Sequence, residues 1–206
     1  MPRFKLVIEY TGTRYSGWQI QKNARTVAGE IERAVHEATR RGEFELYGAG
    51  RTDAGVHALA QVAHLEIYTD LPPHTLRHRI NDGLPSDIYI RRIDKAPHRF
   101  HARHDAEARS YLYQISRRKT AFFKPYVWWI KETLDPARMR AAARPFVGMQ
   151  DYASFSADEP PDHPPRSPPP RLASFSRASI TAVTRDRARY GRSRTCPQVN
   201  EQPPVC

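Results

Sequence analysis

Phe4-Lys5-Leu6-Val7-Ile8-Glu9-Tyr10 lies near the start of the sequence and alternates strictly. Phe4, Leu6, Ile8 and Tyr10 share one face, and Lys5, Val7 and Glu9 the other, which is the period of a strand. Outward from it, residues 11–25 form a loop carrying Gly12 and Gly17. Residues 26–40 read as a helix: Val27, Ile31, Ala34, Val35 and Ala38 fall on one face, and Thr26 is a suitable N-cap. Residues 44–47 and 60–68 read as strands, with Leu65 and Ile67 sharing a face. Pro72 and Pro73 punctuate the chain before a helix at 74–81, which ends at Gly83 and Pro85. Residues 88–93 read as the next strand. The order β-α-β-β-α-β predicts an α+β fold of ferredoxin-like type, with an antiparallel sheet and both helices on one face.

Further elements are expected after residue 105. Residues 109–116 alternate as a strand with Tyr111, Tyr113 and Ile115 on one face. Residues 126–131 read as a strand carrying Trp128 and Trp129. Residues 134–147 read as a helix with Pro136 in its first turn and Met139, Ala142, Ala143 and Phe146 inward. The composition then shifts: residues 160–170 hold seven prolines in eleven positions, and Arg and Ser dominate beyond them. Such a stretch buries too little apolar surface to offset its ordering entropy. Only residues 178–183 suggest a renewed apolar period. The expected organisation is therefore 1–105, a partial unit at 106–158, and a disordered tail at 159–206. The tail reads either as a genuine Pro-rich extension or as the product of a reading-frame shift near residue 160.

Bulk properties narrow the function classes. With 39% hydrophobic and 27% charged residues in 206, the chain suits a soluble globular protein. No run of eighteen apolar residues exists to cross a membrane, and residues 1–10 alternate rather than forming the apolar stretch of a signal peptide. The net charge of +11 favours a polyanionic partner, since cations that neutralise phosphates release condensed counterions. Part of that charge sits in the tail. Both cysteines, Cys196 and Cys206, lie there too, so no disulfide framework is indicated and a reducing cytoplasm is the expected compartment.

The chemistry concentrates in Gly48-Ala49-Gly50-Arg51-Thr52-Asp53-Ala54-Gly55-Val56-His57-Ala58. Three glycines permit tight turning and close backbone approach. Asp53, flanked by Arg51 and His57, is a candidate reactive carboxylate on a presentation turn; the plainer reading is a strand connection with a surface Asp. Arg51 reads either as an opposite charge for Asp53 or as a phosphate or loop-bracing contact. His57 reads as a ligand contact or, better, as a loop brace. His98, His101 and His104 recur every third residue, and as metal ligands they would suggest a hydrolase. Arg99, Arg103 and Arg109 around them would repel a cation, so no metal is expected.

Gly50-Arg51-Thr52-Asp53-Ala54-Gly55-Val56-His57 resembles the active-site signature of the TruA family of tRNA pseudouridine synthases. Glu9-Tyr10-Thr11-Gly12 with Tyr15-Ser16-Gly17-Trp18-Gln19-Ile20-Gln21 is similar to that family's first strand and loop. So are the turn Asn81-Asp82-Gly83-Leu84-Pro85-Ser86-Asp87-Ile88, Phe100-His101-Ala102-Arg103, and Arg109-Ser110-Tyr111-Leu112-Tyr113. The resemblance runs to about Phe155, through Asp151-Tyr152-Ala153-Ser154-Phe155. It implies two ferredoxin-like units flanking a basic cleft, a homodimer, no cofactor, and the anticodon stem-loop of tRNA as partner. It implies Asp53 as catalytic carboxylate acting on uridines 38 to 40, with Arg51, His57 and Arg103 near the substrate. Alternation alone reads Tyr111 as a core strand residue, whereas the resemblance puts it against the target base. A family segment carrying a basic residue near the aspartate has no counterpart here. A truncated relative that binds RNA without catalysis is therefore the competing expectation.

Overall fold

The computed structural model describes residues 1–151 and 172–175. It divides into two compact units, Met1–Tyr111 and Leu112–Cys206. The first follows the expected order: β1 (Arg3–Tyr10), α1 (Val27–Thr39), β2 (Phe44–Gly48), β3 (Ala58–Ile67), α2 (Pro73–Gly83) and β4 (Ile88–Ala96). The sheet order is β2-β3-β1-β4, and every neighbouring pair is antiparallel. This is the ferredoxin-like arrangement, in which β3 fills the gap between β1 and β2.

Register places the apolar alternation of β1 against that of its neighbours. Phe4 pairs with Leu65, and Leu6 pairs with Ala63 on one side and Ile93 on the other. Phe4, Leu6, Ile8, Leu65, Ile67 and Ile90 pack with Ile31 and Val35 of α1 and Leu76 and Ile80 of α2 in one cluster. Each such side chain contributes about 1.5–3 kcal/mol relative to exposure. The Thr26 hydroxyl caps α1 by accepting the Gly29 N–H at 3.2 Å. Arg40 ends the helix in the left-handed region at φ 57°. Pro73 sits in the first turn of α2, where its missing N–H costs nothing.

The second unit departs from expectation. Of residues 109–116 only β5 (Ile115–Ser116) is strand, pairing parallel with β6 (Trp128–Trp129). A strand needs ladder partners along its length, and the described residues provide one for a single two-residue stretch. Residues 134–147 form α3 (Pro136–Ala143), capped by Asp135, followed by a 3₁₀ turn at Arg144–Phe146. No residue of α3 is buried: Met139, Ala143 and Phe146 are half-covered, and Ala142 is exposed. The helical pattern is present, but no apolar surface among the described residues fully covers it. β7 (Gly148–Asp151) pairs antiparallel with β8 (Leu172–Phe175), a short strand within the segment expected to be disordered. The rest of that segment, residues 178–183 and residues 152–155 lie outside the described residues.

Candidate active site

Asp53 sits in the connection between β2 and β3, and its side chain is exposed. Its carbonyl accepts the Val56 N–H at 3.2 Å, closing a turn in which Gly55 takes φ 79°. That conformation suits glycine and strains other residues. The turn is fixed by its neighbours. The Trp18 N–H donates to the Thr52 carbonyl at 2.9 Å, and the Gly55 N–H donates to the Tyr15 carbonyl at 3.3 Å. The Tyr10 and Thr52 hydroxyls are 2.8 Å apart. His57 Nδ1 accepts the Gly12 N–H at 3.2 Å, and Gln61 Nε2 donates to the Gly50 carbonyl at 2.6 Å.

The glycines of the 11–18 loop make this contact possible. A Cβ on Gly12 would lie 2.0 Å from the Val56 carbonyl oxygen. One on Gly17, itself at φ 93°, would lie 2.6 Å from the Thr52 carbonyl oxygen. The 11–18 loop is buttressed in turn by the Asn81–Ile88 segment. Asn81 pairs with the backbone of Ile90 through both side-chain atoms, at 2.8 and 3.0 Å. Asp87 receives the Tyr15 hydroxyl at 2.6 Å and the Arg14 guanidinium at 2.8 Å. Burial pushes the Asp87 carboxyl up, but the Tyr15 and Arg14 hydrogen bonds outweigh it and hold the group below its ordinary range. Burial, followed by the hydrogen bond to Asp87, pushes the Tyr15 phenol up. Three separated sequence motifs thus form one support for the Asp53 turn.

The other candidates fall in different places. Arg51 is exposed, and no ion pair joins it to Asp53 among the described residues. His57 braces the loop through Gly12. Tyr111 is 72% exposed, so it is not the core residue that alternation suggested. Arg103 is exposed at a turn following Phe100. Several interleaved cations are already engaged: Arg25 with Glu30, Arg91 with Glu9, Arg92 with Asp94, and Arg77 with the Arg91 carbonyl.

The histidine series forms no ligand set. Among the described residues no group of three or more His, Cys, Asp or Glu side chains could hold a metal ion. His101 Nδ1 instead accepts the Arg103 and His104 N–H groups at 3.2 and 3.3 Å. Its ring lies edge-on to buried His64, with centroids 4.7 Å apart. His64 Nδ1 accepts the Ala102 N–H at 3.1 Å. Burial, then the charges of His101 and Arg3, lower the His64 pKa to about 4, so it is neutral at pH 7.

Sequence reading overlooked Gln61, His64, Asp87 and Arg109 as loop supports. Arg109 donates from Nη2 to the Ala49 carbonyl at 2.9 Å. Its only signal was membership of the Arg-Ser-Tyr-Leu-Tyr segment. For His64 alternation signalled only the face away from Leu65 and Ile67.

Residues 6–105 match a family model described as tRNA pseudouridine synthase. The chain is similar to tRNA pseudouridine synthase A of Pseudothermotoga lettingae, 38% identical over 157 residues, which is 75% of this chain and 64% of that protein. It is 45% identical to the enzyme of that name from Rhodopseudomonas palustris strain BisB18, over 77% of this chain and 66% of the relative. It is 42% identical to that of Sinorhizobium fredii, over 75% and 64%. The chain thus spans just under two thirds of the length of these curated relatives.

Proposed function

We propose that this chain, whose residues 6–105 match the tRNA pseudouridine synthase family model, isomerises uridine to pseudouridine in tRNA, with Asp53 as the catalytic carboxylate. The observation that carries this reading is the Asp53 turn: an exposed carboxylate on a backbone fixed by Tyr15, Trp18, His57 and Gln61. Such preorganisation is what a reacting group needs to meet its substrate in one geometry. The reaction breaks the bond from N1 of uracil to C1′ of the ribose, turns the base, and joins C5 to C1′. C5 loses its proton to solvent and N1 gains one, so the change is an isomerisation. A carboxylate serves it by attacking the nucleoside covalently or by stabilising the ionising glycosidic bond. A stacked base must first be extruded to reach it.

The finer reading places the target uridines at 38 to 40 of the anticodon stem-loop. It makes Tyr111 a stacking surface for the base, with Arg51 and Arg103 near the substrate, and the working form a homodimer in the cytoplasm. The exposed ring of Tyr111 supports this assignment, since stacking on a base is worth about 1–3 kcal/mol. Release of tritium from 5-labelled uridine in tRNA tests it. Wild-type chain is expected to turn over, and Asp53→Asn to fall by at least about a thousandfold while still binding tRNA. Equal turnover by the variant would remove Asp53 from the chemistry.

A second reading, an RNA-binding relative without turnover, is favoured by one observation. Residues 112–148 bury no side chain. Retained tRNA binding with no tritium release from either protein would establish it.

A further inference from the structure

We propose that Arg109 is a positioning residue for the Asp53 loop, tying that loop to the turn at residues 101–105. The inference rests on the reading above for the reaction, but not for the geometry. The guanidinium reaches two backbone carbonyls from distant parts of the first unit. Nη2 and Nε donate to the Ala49 carbonyl at 2.9 and 3.3 Å, and Nη2 also donates to the Arg103 carbonyl at 3.1 Å.

Ala49 is where the loop leaves the sheet. Its own N–H donates to the Val62 carbonyl at 2.8 Å. The next carbonyl, of Gly50, is held by Gln61. Two successive carbonyls immediately before Arg51-Thr52-Asp53 are therefore each gripped by a side chain from another element. The direction of the chain into Asp53 is set there.

The far end of the tie is stiff. In the 101–105 turn, the Ala102 N–H goes to His64, and the Arg103 and His104 N–H groups go to His101. Asp105 accepts the His101 N–H at 2.8 Å and returns its own N–H to the His101 carbonyl at 2.9 Å. Ala102 is buried against the sheet. The Arg103 carbonyl is thus a fixed point, and the planar fork of Arg109 spans from it to the start of the Asp53 loop. An ammonium lacks that fork. With Nε and Nη2 engaged by carbonyls, Arg109 is not arranged to grip a phosphate with its full fork.

The test compares full-length wild type, Arg109→Ala and Arg109→Lys by hydrogen exchange and by tritium release. Exchange in residues 48–57 is expected to quicken at least tenfold in Arg109→Ala, with residues 27–39 unchanged and Arg109→Lys intermediate. Turnover number is expected to fall about 10–100-fold, while tRNA affinity and its salt slope stay within twofold. Unchanged exchange at 48–57 would overturn the proposal. So would weaker tRNA binding with a shallower salt slope and unaltered turnover, which would make Arg109 a phosphate contact. If Arg109→Ala does not fold, Arg109→Lys carries the same comparison. If wild type shows no turnover, the synthase reading fails alone, and the exchange data still decide whether Arg109 holds the loop.

Discussion

The segment Phe4–Tyr10 and the segment Arg109–Ser116 carry the same alternation, yet only the first is a strand along its length. β1 has β3 on one side, β4 on the other and two helices over its apolar face. Among the described residues, 109–116 pair only at Ile115–Ser116, and Tyr113 stays 81% exposed. The contrast extends to whole units. The first buries a continuous cluster from Phe4 to Ile93, whereas residues 112–148 bury no side chain and expose Phe122, Trp128 and Trp129. Periodicity states which face a strand would bury; the free energy comes only when another element supplies the surface.

The largest effect that could break this contrast is a pair of truncations. Leu6→Ala, at the centre of the first cluster, should lower unfolding free energy by about 2–5 kcal/mol. Leu112→Ala, at a 70% exposed position, should change it by no more than about 0.5 kcal/mol. Denaturant titration followed by circular dichroism reads both. Similar losses would mean that residue 112 is covered in solution.

An intermediate effect depends on pH. His64 is neutral in the fold, with its pKa lowered from 6.5 to about 4 by burial and by His101 and Arg3. Between those values the unfolded chain binds the proton and the folded chain does not. Its contribution is therefore complete above pH 6.5 and is lost as pH falls toward 4. The melting temperature should drop over that interval, and His64→Gln should flatten the drop. A slope that is the same in the variant would assign the dependence elsewhere. Asp87, held below its ordinary range, adds a separate loss at lower pH as it protonates.

The smallest effect sharpens the picture of the first unit. Arg40 occupies a left-handed C-cap at φ 57°. Arg40→Gly should stabilise the chain by about 0.5–1 kcal/mol, through relief of that strain. Thermal melts at fixed pH would show a rise of a few degrees, and a fall would mean that the arginine side chain contributes more than the strain costs.

Much of the first unit was legible because its signals are local. Thr26 announced α1, Pro73 and Gly83 bracketed α2, and alternation marked β1, β3 and β4. The Asp53 loop was legible as a motif, but its supports were not. Gln61, His64 and Arg109 act on backbone groups, and Asp87 on the Tyr15 hydroxyl, at separations between 11 and 72 residues. Each donor or acceptor is ordinary in composition and meaningful only once the sheet brings its partner close. In the second unit the helix at 134–147 was foreseen from its pattern, yet it emerged shorter and unburied, because the pattern carries no information on whether a covering surface exists.

The amino-acid sequence by itself determined the order of elements in the first unit, the face each would bury there, the place of Asp53 on a glycine turn, and a positive charge suited to a polyanion. These follow from side-chain alternation, capping and backbone freedom, which act within a few residues. Tertiary structure alone decided that Tyr15 and Trp18 hold the Asp53 turn, that His101 accepts backbone N–H groups, and that Arg109 links Ala49 to Arg103. Those outcomes depend on hydrogen bonds at about 3 Å between distant segments, and such distances exist only after the chain has packed.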